Sequence, residues 1–188
     1  MRLRDHLRQE TRTLHQRTEE ALAGLDIRTG LGLDRFLLVH HAAVLPIERR
    51  LATCDLAACD MAERWPFRLT DLLAQDLRER ALNPTEGVMA SAIDHAHPLG
   101  LCYVLGGSRL GARFLLRRLS GAGPAPRYLT QAPDDAIWPW TLKLLNSPEA
   151  DSAPWDAVVK AAETAFASFA DALTLVGASK ESIDELAV

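Results

Sequence analysis

The chain is poor in valine and isoleucine, the β-branched aliphatic residues that favour strands. Leucine, alanine, arginine and glutamate dominate instead and favour helices. No stretch alternates apolar and polar residues between hairpin turns, so sheet structure is not expected. Cysteine is scarce as well. Cys54, Cys59 and Cys102 are odd in number and form no CxxC pair, which argues against a disulfide framework or a cysteine zinc site. Apolar runs long enough to cross a bilayer are missing, and no secretory leader is expected, because Met1-Arg2-Leu3-Arg4-Asp5 runs straight into a charged helical pattern. Excess positive charge is missing too: the formal net charge is -4, which disfavours a nucleic-acid backbone as partner while leaving room for a local basic patch that holds a small dianion. The expectation is a cytoplasmic protein with neither a membrane nor a nucleic acid as partner.

What is present suits an all-α fold. Hydrophobic residues make up 48% and charged residues 24% of 188 positions, an ordinary globular balance in a chain of single-domain size. One helical domain is expected over residues 1–177, followed by a polar tail at 178–188. Leu7, Thr11, Leu14, Thr18, Ala21, Leu22 and Leu25 repeat at three-four spacing and predict a first helix over residues 3–25. A second is expected over 34–54, with Asp34 as its cap and Pro46 kinking or splitting it. Further helices are predicted over 70–82 with Thr70 as cap, from Pro84 to about 95, over 99–119, over 134–145 and over 152–175. A loop rich in glycine and proline separates two of them at 120–127.

Three features carry chemistry. His15 lies at the edge of the first helix's apolar stripe, where a neutral imidazole can ligate a metal or serve as a hydrogen-bonded core residue. Arg8, seven residues earlier, shares that face and suits either solvent or a ligand carboxylate. The stretch from Tyr103 to Leu115 contains Gly106, Gly107 and Gly111. Each glycine inside a helix costs about 1 kcal/mol relative to alanine, so three within six residues need a reason. They either let a neighbouring helix cross closely or bare the backbone to a flat ligand. His40 and His41 are adjacent and point to different helix faces. His95 and His97 flank a helix end beside Pro98, where capping is the simpler role. There is no HExxH, no GxSxG elbow and no phosphate-binding glycine loop.

Leu7-Arg-Gln-Glu-Thr-Arg-Thr-Leu-His15-Gln-Arg-Thr-Glu19 resembles the opening helix of heme oxygenases, of the form L-x-x-x-T-x-x-x-H-x-x-x-E. The segment Tyr103-Val-Leu-Gly-Gly-Ser-Arg-Leu-Gly111 resembles the distal helix of the bacterial, biliverdin-producing branch, and Ala161-Ala-Glu-Thr-Ala-Phe166 resembles the family's last helix. The matches fall in family order between about residues 3 and 176. The resemblance implies a multi-helix bundle that sandwiches heme between the first helix and a kinked, glycine-rich helix. His15 would be the iron ligand, and Gly106, Gly107, Ser108 and Gly111 would line the catalytic side. Arg8, Tyr103, Lys143 and Phe166 would contact the heme. It also implies oxygen-dependent opening of heme to biliverdin, carbon monoxide and ferrous iron, with electrons from an external donor protein or small reductant.

The sequence departs from the family at several points. The bacterial pattern often has an acidic residue where Gly106 stands and a glycine where Ala112 stands. Ser108 stands where the animal enzymes carry an aspartate, and only Lys143 supplies a cation on its helix. These departures keep a second reading open, a non-catalytic heme carrier or sensor on the same fold. A thiamin-degrading or quinone-cofactor enzyme of the related helical superfamily would need a nucleophile facing a cavity, and none assembles around Cys102.

Overall fold

The computed structural model describes residues 2–54, 65–84, 87–119, 124–131 and 136–185. Among them the only regular elements are helices: α1 (Leu3–Glu10), α2 (Arg12–Ala23), α3 (Gly30–Thr53), α4 (Leu69–Glu79), α5 (Ala90–Asp94), α6 (Pro98–Arg118), α7 (Arg127–Thr130), α8 (Ile137–Leu145), α9 (Pro148–Ser152) and α10 (Trp155–Glu185). Cys59, the start of the 120–127 loop and the expected helix start at Asp134 lie outside the described residues. No helix among the described residues is long and apolar enough to cross a membrane.

The long helices α3, α6 and α10 form the centre. α10 packs on both of the others, α4 covers α3, and α8 covers α6. Small residues set the spacing. Ala161, Ala162 and Ala165 of α10 are buried. A β-carbon built at Gly100 would lie 2.2 Å from the Val158 carbonyl oxygen, so α6 and α10 touch backbone to backbone there. Leucines and phenylalanines fill the rest, with Leu37, Leu73, Leu99, Leu105 and Leu145 fully buried. Burial of each such side chain contributes on the order of 2 kcal/mol.

Several local features differ from the sequence expectation. The first predicted helix is interrupted at Thr11, whose ψ of 4° separates α1 from α2. The Thr11 hydroxyl donates to the Leu7 carbonyl at 2.7 Å, a back-bond that bends helices. α3 begins at Gly30 instead of Asp34, because Thr29 caps it by accepting from the Gly32 N–H at 3.0 Å. Asp34 instead pairs with Arg80.

Of the two outcomes expected at Pro46, kinking or splitting, α3 excludes splitting. A proline cannot donate to the carbonyl four residues back, and here the Val88 N–H donates to that Ala42 carbonyl at 3.2 Å. The Ser168 hydroxyl donates to the next carbonyl, Ala43, at 3.0 Å. Thr70 does not cap α4. Glu48 of α3 does so from a distance, accepting from the Leu69 and Thr70 N–H groups at 2.9 and 2.7 Å and from the Trp65 indole at 2.9 Å. α10 also continues beyond the expected boundary at 175 to Glu185.

Candidate functional site

α1 and α2 lie across from α6, and between them opens a cavity of about 1430 Å³. That exceeds the roughly 300–1,000 Å³ usual for small-molecule sites and suits a large ligand. His15 of α2 lines it, and so do Tyr103, Gly107, Ser108 and Gly111 of α6. Its floor comes from Phe36 and His40 of α3, Tyr128 of α7, and Phe166 and Phe169 of α10.

His15 is the clearest candidate ligand for a metal. Its side chain is 53% exposed, and Nδ1 stands 3.5 Å from Glu19 Oε2 one turn later. That neighbour suits an Nδ1–H tautomer and leaves Nε2 as the lone-pair nitrogen. The Phe166 ring meets the imidazole edge-on at 5.9 Å and fixes its far side. The exposure departs from the stripe read in the sequence. Leu7 and Thr11 are buried, but Leu14, Thr18, Leu22 and Leu25 are half-buried and Ala21 is exposed. Thr18, Leu22 and Leu25 of that stripe border the open cavity, while α2 also packs on α10.

The glycines of α6 divide. At Gly107 and Gly111 a built β-carbon would meet nothing within 4 Å. No neighbouring helix requires glycine there, so the bare backbone faces open space. Gly106 is different: it is buried, it is not among the cavity-lining residues, and its β-carbon would lie 2.2 Å from Thr141 Oγ1. Its glycine therefore serves the crossing of α6 with α8. Ser108 donates to the Leu105 carbonyl at 2.7 Å, which leaves its oxygen able to accept from a ligand in the cavity.

The rim carries charge. Arg4, Arg8, Arg12, Arg28 and Arg118 line the cavity with Asp5, Glu19 and Asp26, an excess of two positive charges in a chain of net charge -4. Arg28 is held by Asp26 at 2.9 Å, and that hydrogen bond keeps the Asp26 carboxyl below the usual range. Lys143 is exposed on α8 and does not line the cavity.

His40 was passed over in the sequence, yet it is buried and lines the floor. Its Nδ1 lies 2.9 Å from the Phe36 carbonyl, which can only accept, so Nδ1 carries the hydrogen. Burial is the main reason its pKa is pushed down to about 4; the bond to Phe36 opposes the shift and the Arg109 charge adds to it. Beside it Tyr128 is also buried, its ring 5.5 Å from that of His40. The Tyr128 main chain is pinned: its N–H donates to Asp76 at 2.9 Å, and its carbonyl accepts from Arg109 at 2.8 Å. Among the described residues the Tyr128 hydroxyl has no hydrogen-bond partner. The signal for His40 was its position four residues after Phe36 on the buried face of α3. Tyr128 follows the glycine-proline loop and carried no periodic signal.

Cys102 is fully buried, burial pushes its thiol well up, and it does not line the cavity. His97 does cap a helix, its Nδ1 accepting from the Leu99 N–H at 3.3 Å. Among the described residues no three His, Cys, Asp or Glu side chains gather as a metal-binding group. A metal that arrives with its own ring of ligands needs only one protein donor, and His15 meets that condition.

The fold and cavity together define a class: an all-helical protein with an aromatic-floored, cation-rimmed slot between its first helices and a glycine-bearing one. No family model matches the chain, and no curated protein or solved structure matches it.

Proposed function

We propose that the chain binds heme in this cavity through His15 and opens it oxidatively to biliverdin, carbon monoxide and ferrous iron. Electrons would come from an external donor protein or small reductant in the cytoplasm. The observation that carries the reading is that His15 on α2 and the unobstructed backbone at Gly107 and Gly111 on α6 line one cavity. The aromatic floor suits a flat apolar ring, and the two-charge excess at the rim, with Arg8 among its arginines, suits a ligand with two carboxylates.

Heme, when bound, supplies both the iron that activates oxygen and the ring that is oxidised. The protein's part is positional. Glu19 stands beside His15 Nδ1, which would leave Nε2 to hold the metal. Gly107 and Gly111 keep side chains away from the opposite side, which leaves room there for a small molecule. Ser108 can hold a water at the helix surface without acting as a strong acid. Phe166 gives the histidine an edge-on aromatic neighbour. Gly106 and Lys143 take no part in this mechanism, since neither lines the cavity.

The test begins with hemin added to the purified chain and to His15→Ala. The parent should give a histidine-ligated spectrum and the variant should lose it; an unchanged spectrum in the variant removes His15 as ligand. Ascorbate or a reductase then separates the two functional readings. An oxygenase bleaches the Soret band and accumulates biliverdin, whereas a carrier or sensor leaves the band in place. The Gly106 departure favours neither, because that residue answers to Thr141.

A further inference from the structure

The cavity floor contains two polar groups that a closed porphyrin cannot use. His40 is neutral near pH 7, and with its hydrogen on Nδ1 its Nε2 is a hydrogen-bond acceptor. Tyr128 brings a hydroxyl that is buried and has no partner among the described residues. Their rings lie 5.5 Å apart, surrounded by Phe36 and Phe169. Buried polar groups normally find partners, and each one left without a partner destabilises the state that buries it. The hydrocarbon edge of heme, away from its carboxylates, has neither N–H nor C=O to offer them.

We propose that His40 and Tyr128 form a two-point subsite for a lactam, the cyclic amide that ends a tetrapyrrole chain once its ring is opened. A lactam presents an N–H donor next to a C=O acceptor. His40 Nε2 accepts from the first, and the Tyr128 hydroxyl donates to the second. The rim arginines hold the carboxylates of the same molecule, so the opened chain is gripped at two separate places. The pair is preorganised for this role. The bond to Phe36 fixes the His40 ring, and Asp76 and Arg109 fix the Tyr128 main chain on both sides. The subsite rests on the functional reading above, since it names how that site holds its open-chain product.

The test uses the full apo chain titrated with two ligands that share their carboxylates, followed by tryptophan fluorescence. Biliverdin carries lactams; iron-free protoporphyrin IX carries none. Tyr128→Phe should weaken biliverdin binding about fivefold, the worth of one neutral hydrogen bond, and leave protoporphyrin within about twofold. His40→Phe should act in the same direction. If His40→Phe does not fold, Tyr128→Phe still decides the matter, because it removes only a hydroxyl that no group among the described residues uses. Unchanged biliverdin affinity in Tyr128→Phe, as expected if the hydroxyl merely holds a water, overturns the proposal. Equal weakening of both ligands overturns it as well, by reporting a change in cavity shape. A parent chain that binds hemin but not biliverdin sinks the lactam subsite and leaves the heme reading standing. One that binds biliverdin but not hemin does the reverse.

Discussion

A β-carbon at Gly100 or Gly106 of α6 would come within 2.2 Å of an oxygen on a neighbouring helix, whereas one at Gly107 or Gly111 would meet nothing within 4 Å. All four sit in one helix of 21 residues and carry the same intrinsic penalty for helix formation. The first pair recovers that penalty through close packing, Gly100 against the α10 backbone and Gly106 against Thr141. The second pair recovers nothing inside the protein. A glycine with no packing reason in a helix that borders a cavity points to a constraint outside the folded chain. That is how the two explanations of a glycine-rich helix, close crossing and ligand approach, both hold within a few residues.

Substitution should separate the two pairs sharply. The largest effect belongs to Gly100→Ala, where the obstruction is Val158 main chain and cannot rotate away: a loss of about 3 kcal/mol or more, read from the denaturant midpoint. A similar scale applies to acid at the floor beneath the open pair. His40 has a folded pKa of about 4 against 6.5 for an ordinary imidazole, so the unfolded chain takes up the proton first as pH falls. Its contribution is complete above about pH 6.5 and is lost by about pH 4, roughly 3 kcal/mol in all. Asp76, whose carboxyl is pushed up chiefly by burial, works in the opposite sense. His40→Phe should flatten the acid side of the stability profile, and a profile equal to the parent's would show that His40 is not the group titrating.

Gly106→Ala should cost less than Gly100→Ala, about 1–2 kcal/mol, because its obstruction is a threonine side chain with some freedom to shift. Gly107→Ala and Gly111→Ala close the series with a change of sign, a gain of about 0.5–1 kcal/mol from helix propensity. Leucine at either position should fold equally well and obstruct hemin binding. Variants at 107 and 111 that destabilise like those at 100 and 106 would erase the distinction.

Much of the fold was legible because leucine and alanine spacing records helix faces directly. The all-α class, the glycine helix and the last long helix follow from it. What stayed hidden was action at a distance. Nothing local announces that Val88 will serve the carbonyl Pro46 abandons, or that Glu48 will cap a helix more than twenty residues on. At the site, His15, Tyr103, Gly107, Ser108, Gly111, Arg8 and Phe166 all line one cavity. Lys143 and Gly106 do not, the first because α8 turns it outward and the second because Thr141 occupies its open side. His40 was weighed only against its neighbour His41, and Tyr128 carried no periodic signal, so their burial at the cavity was not anticipated.

The break at Thr11 has a consequence for how the histidine is carried. α1 is anchored through Leu3, Leu7 and Thr11, all buried, while α2 beyond the break buries no residue at all. A helix so lightly attached draws little of its order from the rest of the protein. A guest in the slot would cover Thr18 and Leu22 and add to the packing that α2 already has on α10. Occupancy and the ordering of that segment are therefore a single equilibrium, in which the guest completes the host's core.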